Sequence, residues 1–282
     1  MIDDNKPKSN RESQHYASWD LGAVLLGEYE IQSLLGEGGM GRVYLVVSKS
    51  TGHRYALKTC KLHGERERRH FFAELQTWIN LPDHPNLVSC RFFRTIFDEI
   101  VIFSDFIDSG SLTDWIRQRR LKELHEILDV AIQFAIGLHV IHESGLVHQD
   151  VKPGNVLVTK GRVAKVSDFG LARARQVVSA TGASIDNRNT MLVPGVGYMT
   201  RQYASPEQAA GRPLSLKSDL WSWAVSVLEM FTGEVTWLTG QAASYVFEQY
   251  VDDGPIDKSL PAMPKTVATV LRNCFFLDPA KR

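Results

Sequence analysis

Two polar motifs in the middle of the chain carry residue types that could bind a metal ion and accept a proton. The first is His148-Gln149-Asp150-Val151-Lys152-Pro153-Gly154-Asn155, and the second is Asp168-Phe169-Gly170. Asp150 supplies a carboxylate that could orient a hydroxyl group and take its proton. Asn155 and Asp168 supply the oxygen ligands that magnesium prefers. Either motif alone could be an ordinary polar loop, but the ordered pair favours metal-assisted chemistry.

A glycine-rich segment nearer the N-terminus could hold a polyphosphate. Gly36-Glu37-Gly38-Gly39-Met40-Gly41-Arg42-Val43 lies between strand-like stretches, and Tyr55-Ala56-Leu57-Lys58 follows as another. Glycines let backbone N–H groups approach phosphate oxygens, and Lys58 could bind the α and β phosphates. A dinucleotide-binding interpretation would need a helix directly after the glycines, whereas Arg42 to Ser48 alternates like a strand. Glu74, in a helical stretch, is the candidate ion-pair partner of Lys58.

Together these segments predict phosphoryl transfer from ATP with Mg²⁺. The transition state of that reaction is loose, so the protein mainly positions the reactants and neutralises charge. Asp150 would accept the hydroxyl proton, Lys152 would place a cation near the γ-phosphate, and Asn155 and Asp168 would bind the metal.

The segments that must position these residues change character along the chain. Strand-like alternation dominates from Tyr29 to about Phe106, and helical periodicity follows. Leu124 to His142 is predicted to be a helix with a long buried face, made of Leu128, Ile132, Ala135, Ile136, Leu138 and Ile141. Ser218 to Phe231 is apolar nearly all round, which is typical of a helix in the middle of a core.

With its motifs in this order, the chain resembles the eukaryotic-type serine/threonine protein kinase family over about residues 29 to 282, and it is most similar to bacterial members. The resemblance implies an α+β fold of two lobes: a small β-rich N-lobe (about 29–104), a hinge (about 105–110) and a larger, mainly helical C-lobe (about 111–282). The resemblance also leads us to expect a closing helix beyond Arg282, which the residues up to Arg282 do not include. Residues 1–20 are polar and are expected to form a disordered arm before a kinase domain at 21–282.

The resemblance also assigns roles to individual residues. Adenine is expected beside Leu35, Val43, Ala56 and Leu157, with hydrogen bonds to the backbone at two hinge positions. The residues expected to bind ATP are Leu35, Gly36, Glu37, Gly38, Gly39, Met40, Gly41, Val43, Ala56, Lys58, Glu74, Asp105, Ile107 and Leu157. Structural or regulatory roles are expected for His148, Gln149, Phe169, Gly170, Thr200, Glu207, Asp219 and Arg282. Among these, Asp219 should bind the backbone of the motif at residues 148–155, called the catalytic loop below. Glu207 should pair with Arg282, and Phe169 should stack with His148 and Trp78.

The expected substrates are proteins with serine or threonine acceptors. Lys152, together with Thr200 three residues before Tyr203, is similar to serine/threonine-specific members, and dual specificity is the alternative. Autophosphorylation within residues 171–204 is a further expectation.

Gln149 departs from the family pattern, which usually has an arginine there that contacts a phosphate on the activation segment. A phosphorylated residue carries about −1.5 to −2 charge, and glutamine offers no compensating charge. His70 and Arg173 match the other two basic positions of that pocket. We therefore expect activity to depend less on loop phosphorylation than in members that keep the arginine.

Composition narrows the choice of partner and compartment. Lys plus Arg and Asp plus Glu each number 32 in 282 residues, so net charge gives no reason to expect nucleic acid as a partner. The three cysteines show neither a metal-binding nor a disulfide spacing, which fits a reducing compartment. No uninterrupted apolar run of about 18 residues and no signal-peptide core is evident. We expect no membrane contact and a cytoplasmic location, or the cytoplasmic face of a membrane protein if the native chain continues into a span.

Two other classes of protein remain as alternatives. A pseudokinase scaffold would normally have lost Lys58, Asp150 or Asp168, and all three are present. A small-molecule phosphotransferase could share the catalytic aspartate and metal ligands, but Ser205-Pro206-Glu207 and the segment at Thr200 favour a platform for a peptide.

Overall fold

The computed structural model describes residues 19–38, 41–60, 72, 75–76, 78–97, 99–168 and 200–282. The chain divides into two compact units. The first unit is Met1–Lys61 with Phe93–Phe106, and the second is Leu62–Phe92 with Ile107–Arg282. The third crossing between the units, at Phe106 and Ile107, falls within the predicted hinge.

The first unit is built on a sheet whose strand order is β1-β2-β3-β4-β6-β5. The strands are β1 (Val24–Leu25), β2 (Tyr29–Gly38), β3 (Gly41–Ser48), β4 (Arg54–Cys60), β5 (Cys90–Ile96) and β6 (Glu99–Asp105). The pairs from β1 to β4, and β4 with β6, are antiparallel. Val101, Ile102 and Phe103 on β6 are fully buried, as expected for the β-branched and aromatic residues of a central strand.

Aromatic residues join the strands of this unit on the faces of the sheet. The ring of Tyr29 lies 4.7 Å from that of Phe103, and Tyr55 meets Phe103 edge-on at 6.0 Å. Trp19, which the polar composition placed in the N-terminal arm, stacks on Tyr44 at 5.5 Å with an interplanar angle of 12°. Such ring pairs add to the free energy gained from their burial.

The second unit is mainly helical. Its helices are α1 (Leu112–Arg117), α2 (Leu124–Glu143), α3 (Pro206–Ala209), α4 (Leu216–Thr232), α5 (Gly240–Asp253) and α6 (Lys265–Cys274). Short 3₁₀ turns cover Pro153–Asn155 and Pro279–Lys281, and a two-stranded hairpin joins β7 (Val156–Val158) to β8 (Ala164–Val166). The mixture of a β-rich first unit and a helical second unit confirms the predicted α+β class.

Helix α4 is the core of the second unit. Its start is set by a capping box, in which the Ser215 side chain and the side chain of Ser218 accept from each other's backbone N–H groups. It ends at Gly233, whose φ of 76° is left-handed. Trp221, Ala224, Val225, Leu228 and Phe231 are all fully buried, which confirms the prediction of a core helix.

Helix α2 buries part of the predicted face. Leu138 and Ile141 are buried as predicted, whereas Ile132 and Ile136 are 58% and 41% exposed. Ile127 and Phe134, which were not predicted, are fully buried, because the helix packs against β8 and α4. Gly137 makes the close approach possible, because a Cβ there would lie 2.6 Å from the Asn86 carbonyl oxygen.

By length and composition, α2 could cross a membrane, although its sequence contains no uninterrupted apolar run of about 18 residues. Within its most apolar window, 44% of the residues are buried inside the protein. A single helix of this kind is weak evidence for a membrane span, and its packing within the second unit accounts for its apolar residues.

Candidate active site

Asp150 lies at the centre of a hydrogen-bond network in the second unit. Lys152 Nζ donates to Asp150 Oδ2 at 2.6 Å and to Thr200 Oγ1 at 2.7 Å. Thr200 Oγ1 donates to Asp150 Oδ1 at 2.9 Å, and Asn155 Nδ2 donates to Asp150 Oδ2 at 3.0 Å. Both carboxylate oxygens are therefore oriented by neighbours. The carboxylate is 11% exposed, so it can still meet a substrate.

Asn155 and Asp168 sit beside this network in a way that fits a magnesium ion. The Asn155 amide nitrogen donates to the carboxylate and the backbone carbonyl of Asp150, which leaves its Oδ1 as the atom to face a cation. Ser167 donates from both its backbone N–H and its hydroxyl to the Asn155 carbonyl, at 2.8 and 3.1 Å. Asp168 is therefore held next to the 3₁₀ turn that carries Asn155. One carboxylate and one amide oxygen suit Mg²⁺, which commonly takes its other ligands from phosphates and water.

The catalytic loop is anchored to α4 by Asp219. This carboxylate is 1% exposed and accepts from the backbone N–H of His148 at 2.7 Å and of Gln149 at 2.9 Å. The Nε2 atom of His142, near the end of α2, lies 2.8 Å from Asp219 Oδ2. Three separate segments thus meet at one buried carboxylate, which fixes the position of Asp150 next along the chain.

Two residues of the site have left-handed backbone conformations although neither is glycine. Gln149 has φ of 69° and Asp168 has φ of 57°. A residue in this region costs on the order of 1–3 kcal/mol and persists only where its surroundings impose it. Here the restraints are the Asp219 bonds, a 2.6 Å bond from Gln208 Nε2 to the Gln149 carbonyl, and the 3.1 Å contact between His148 Nε2 and the Ser167 carbonyl.

A buried ion pair joins α3 to the end of the described chain. Arg282 donates to both carboxylate oxygens of Glu207, at 2.6 and 2.9 Å, and the two side chains are 0% and 3% exposed. Ser218 Oγ donates to the same carboxylate at 2.8 Å. Burial alone would raise the pKa of Glu207, but the Arg282 and Ser218 hydrogen bonds hold it below its ordinary value. The Arg282 guanidinium also lies 4.9 Å from the centre of the Trp221 ring.

Sequence reasoning missed the pair Tyr203 and Glu229. The Tyr203 hydroxyl donates to Glu229 Oε2 at 2.6 Å, and its backbone N–H donates to the Thr200 carbonyl at 3.0 Å. Burial on α4 raises the pKa of Glu229 to about 7, and burial likewise raises the pKa of Tyr203. The available signal was a glutamate inside an otherwise apolar helix, which has to find a partner when it is buried. His142 was also missed, because one histidine in a helix gives no such signal.

In the first unit, the glycine-rich segment is a hairpin formed by β2 and β3. Gly36 pairs with Val43 and Gly38 with Gly41. Gly41 has φ of 136°, and a Cβ there would lie 2.0 Å from the Thr59 carbonyl oxygen. Only glycine fits, because the strand pairing brings the backbone of β4 this close.

The expected adenine and phosphate residues of the first unit lie on neighbouring strands. Val43 is the Cα partner of Lys58, and Ala56 pairs with Ser104. Leu35 is 45% exposed. Arg42, inside the glycine segment, forms a 3.0 Å ion pair with Glu37.

The remaining predicted residues are distributed as follows. Asp105 ends β6; in the second unit, Leu157 lies on β7 and Ile107 starts the segment after the crossing. Trp78 is buried, and its Nε1 donates to the Val88 carbonyl at 3.3 Å. The predictions for Gly39, Met40, His70, Glu74, Phe169, Gly170, Arg173 and most of 171–204 lie outside the described residues.

Comparison with known proteins identifies the family of the chain. A model of the protein kinase domain matches residues 29–282. The chain is 31% identical over 275 residues to the serine/threonine-protein kinase PknA of Corynebacterium glutamicum, covering 93% of this chain and 55% of the relative. It is 30% identical over 274 residues to PknA of Mycobacterium tuberculosis, covering 93% and 59%. It is 34% identical over 268 residues to PksC of Streptomyces coelicolor, covering 89% and 46%.

The chain therefore spans about half the length of these curated relatives. The family match, by contrast, covers nearly all of it. This chain belongs to the protein kinase family.

Proposed function

We propose that the chain is a serine/threonine protein kinase that transfers the γ-phosphoryl group of ATP to serine or threonine hydroxyls of proteins. The observation that carries this proposal is the network in which Lys152 and Thr200 orient the Asp150 carboxylate. An isolated surface aspartate would rotate freely. This one is fixed from both oxygens, as positioning of a substrate hydroxyl requires.

In this proposal Asp150 accepts the proton of the attacking hydroxyl while the γ-phosphoryl group moves to that oxygen, and the bond from the γ-phosphorus to the oxygen that bridges the β and γ phosphates breaks to release ADP. Lys152, 2.6 Å from Asp150, stabilises negative charge on the transferred group and on the carboxylate before it takes the proton. Thr200 holds the same carboxylate from its other oxygen, so that the base and the cation keep their relative geometry.

ATP and Mg²⁺ are the proposed cofactors. Mg²⁺, when bound, would neutralise charge on the phosphates; Asn155 through Oδ1 and Asp168 through its carboxylate would hold it. The Gly36–Gly41 hairpin would present backbone N–H groups to the phosphates, and Lys58 would bind the α and β phosphates. Leu35, Val43, Ala56 and Leu157 are proposed to contact adenine, and Asp105 and Ile107 to offer backbone hydrogen bonds.

We further propose that autophosphorylation occurs within residues 171–204 and that nucleic acid and membrane are not partners. The boundaries proposed from the sequence are a polar arm at 1–20 and a kinase domain at 21–282. A cytoplasmic location is supported by the three cysteines, all of which are buried free thiols. Burial raises the pKa of Cys90 to about 12, so its reactive thiolate is disfavoured.

The test is incubation with radiolabelled ATP, Mg²⁺ and a generic protein acceptor, followed by phosphoamino-acid analysis. Label should appear on serine or threonine with the natural sequence and should be lost in Asp150→Asn and in Lys58→Met. Asp252→Asn, an exposed aspartate in the last turn of α5, is the matched control and should keep full activity. ATP binding without transfer would identify a pseudokinase. Label on a metabolite alone would identify a small-molecule phosphotransferase.

A further inference from the structure

A cavity in the second unit lies outside the residues of the candidate active site. The cavity has a volume of about 100 Å³, which is smaller than the roughly 300–1,000 Å³ of small-molecule pockets, so a small molecule is not the expected occupant. Its walls come from the loop after α1, the end of α4, helix α5 and the segment directly after α5. None of the residues assigned to phosphoryl transfer lines it.

One wall of the cavity carries an ion pair between Arg119 and Asp257, although Arg119 Nη1 is buried without a hydrogen-bond partner among the described residues. Arg119 Nη2 lies 2.9 Å from Asp257 Oδ2. The other oxygen of Asp257 accepts from the backbone N–H and the hydroxyl of Ser259, at 3.0 and 2.6 Å. Arg119 has φ of 54°, and its Nη1 is packed so closely on Gly233 that a Cβ there would lie 1.5 Å away. This wall is therefore preformed and close to neutral.

Two further carboxylates that line the cavity have no such compensation. Glu234, just after α4, and Asp253, the last residue of α5, are both exposed. Within the described part of the chain, neither side chain has a hydrogen bond or an ion pair. The lining therefore carries a formal charge of about −2 that its own residues leave uncompensated, which attracts cationic groups.

The same cavity exposes apolar surface. Ile256 is 91% exposed at its edge, whereas Tyr250 is buried in its wall and donates to the Pro261 carbonyl at 3.3 Å. Val246 is partly buried and also lines the cavity. A partner that covered Ile256 would remove this apolar surface from water.

We propose that this cavity is a docking site for a protein segment in which an apolar side chain is flanked by lysine or arginine. The apolar side chain would pack against Ile256 and Val246, and the flanking cations would pair with Glu234 and Asp253. This function is separate from phosphoryl transfer, since it needs neither ATP nor Asp150, and it can be measured by binding alone.

The probe is a fluorescein-labelled mixture of nonapeptides with a central leucine flanked on each side by two positions of lysine or arginine. Two control mixtures replace the basic positions with aspartate or glutamate, or the central leucine with serine. With the full chain, fluorescence anisotropy should give a dissociation constant below about 1 mM for the first mixture and weaker binding for both controls. A photoreactive leucine at the central position should cross-link to residues between 234 and 257.

Matched variants locate the interaction. Asp253→Lys should weaken binding about three- to thirtyfold, because one exposed ion pair is replaced by repulsion of similar size. Glu143→Lys changes an exposed carboxylate at the last position of α2 and should change binding by less than about twofold. Ile256→Ser should weaken binding about three- to tenfold through lost apolar contact, and its exposure makes an effect on folding small.

Each contrary result overturns the proposal. Equal binding of the basic and acidic mixtures would remove the charge argument. An equal loss of peptide affinity in Asp253→Lys and Glu143→Lys would show a general effect of net charge. Cross-links outside 234–257 would place the peptide elsewhere. If the chain self-associates in sedimentation experiments, and Ile256→Ser abolishes that without any peptide binding, the surface serves a second copy instead.

Discussion

Replacing Asp219 with asparagine tests how far the stability of the second unit and the geometry of the catalytic loop depend on this carboxylate. The carboxylate accepts from two backbone N–H groups and meets His142, at 2.7–2.9 Å, and it is 1% exposed. Asparagine keeps the shape but offers one acceptor oxygen and an NH₂ group. That NH₂ must face the N–H of either His148 or Gln149, so one buried donor loses its acceptor.

The cost of Asp219→Asn can be worked out from these contacts. An unsatisfied buried donor costs about 1–3 kcal/mol, and hydrogen bonds to a charged group lose roughly half their strength when the charge is removed. We therefore expect the free energy of unfolding to fall by about 2–4 kcal/mol. The loop should also relax toward ordinary backbone angles at Gln149, which would displace Asp150 and lower kcat by at least about 100-fold.

Urea denaturation followed by tryptophan fluorescence measures the first effect, and steady-state kinetics at saturating ATP measures the second. His142→Phe is the comparison, because it removes one of the three contacts and leaves both backbone bonds intact. His142→Phe should lower both the free energy of unfolding and kcat by less than Asp219→Asn does. A loss below 1 kcal/mol together with unchanged kcat in Asp219→Asn would refute the view that this carboxylate holds the loop.

Three further predictions rest on other contacts. Gly41→Ala should destabilise the first unit by about 1–3 kcal/mol and weaken ATP binding, since its Cβ would meet the Thr59 carbonyl at 2.0 Å. Gly36→Ala, where the added atom has open space, should have little effect on thermal unfolding, and equal losses would contradict the argument. Glu207→Gln should lower the free energy of unfolding by about 3–5 kcal/mol, because Arg282 is left buried and uncompensated. Glu248→Gln removes an exposed pair with Arg272 and should lower it by only about 0–1 kcal/mol. Similar losses for the two variants in urea titrations would contradict this difference between buried and exposed pairs. Burial raises the pKa of Glu229 to about 7, so its contribution to stability is complete below about pH 4.5 and is lost as pH rises through 7, by roughly 3 kcal/mol. Relative to Glu229→Gln, the natural protein should lose stability between pH 5 and 8, and parallel curves for the two proteins would contradict this sign.

The sequence predicted the residues that carry the chemistry better than the residues that hold them in place. Asp150, Lys152 and Asn155 stand in a short run whose residue types already indicate the reaction, and Thr200 was expected beside them. His142 and Glu229 also hold parts of the site in place, yet each is a single polar residue in a helix. Only the folded structure brings His142 to Asp219 and Glu229 to Tyr203.

The same limit applies to packing. Periodicity predicted helices where α2 and α4 lie, because helical spacing depends on local sequence. It predicted only part of the buried face of α2, since that face is set by packing against β8 and α4, which are distant in sequence. Gly41 was predicted as a phosphate-binding glycine; that its conformation is also required by Thr59 follows only from the pairing of β3 with β4.

Gln149 shows how a departure from the family pattern can leave the loop intact. Its backbone N–H donates to Asp219 and its carbonyl accepts from Gln208, so neither restraint uses the side chain. Residue 149 therefore holds its left-handed conformation whether or not it carries a charge. What an arginine would add is attraction to a phosphate, not the position of Asp150. For this reason the hypothesis of weaker dependence on loop phosphorylation concerns regulation, and it leaves the geometry of the Asp150 network unchanged.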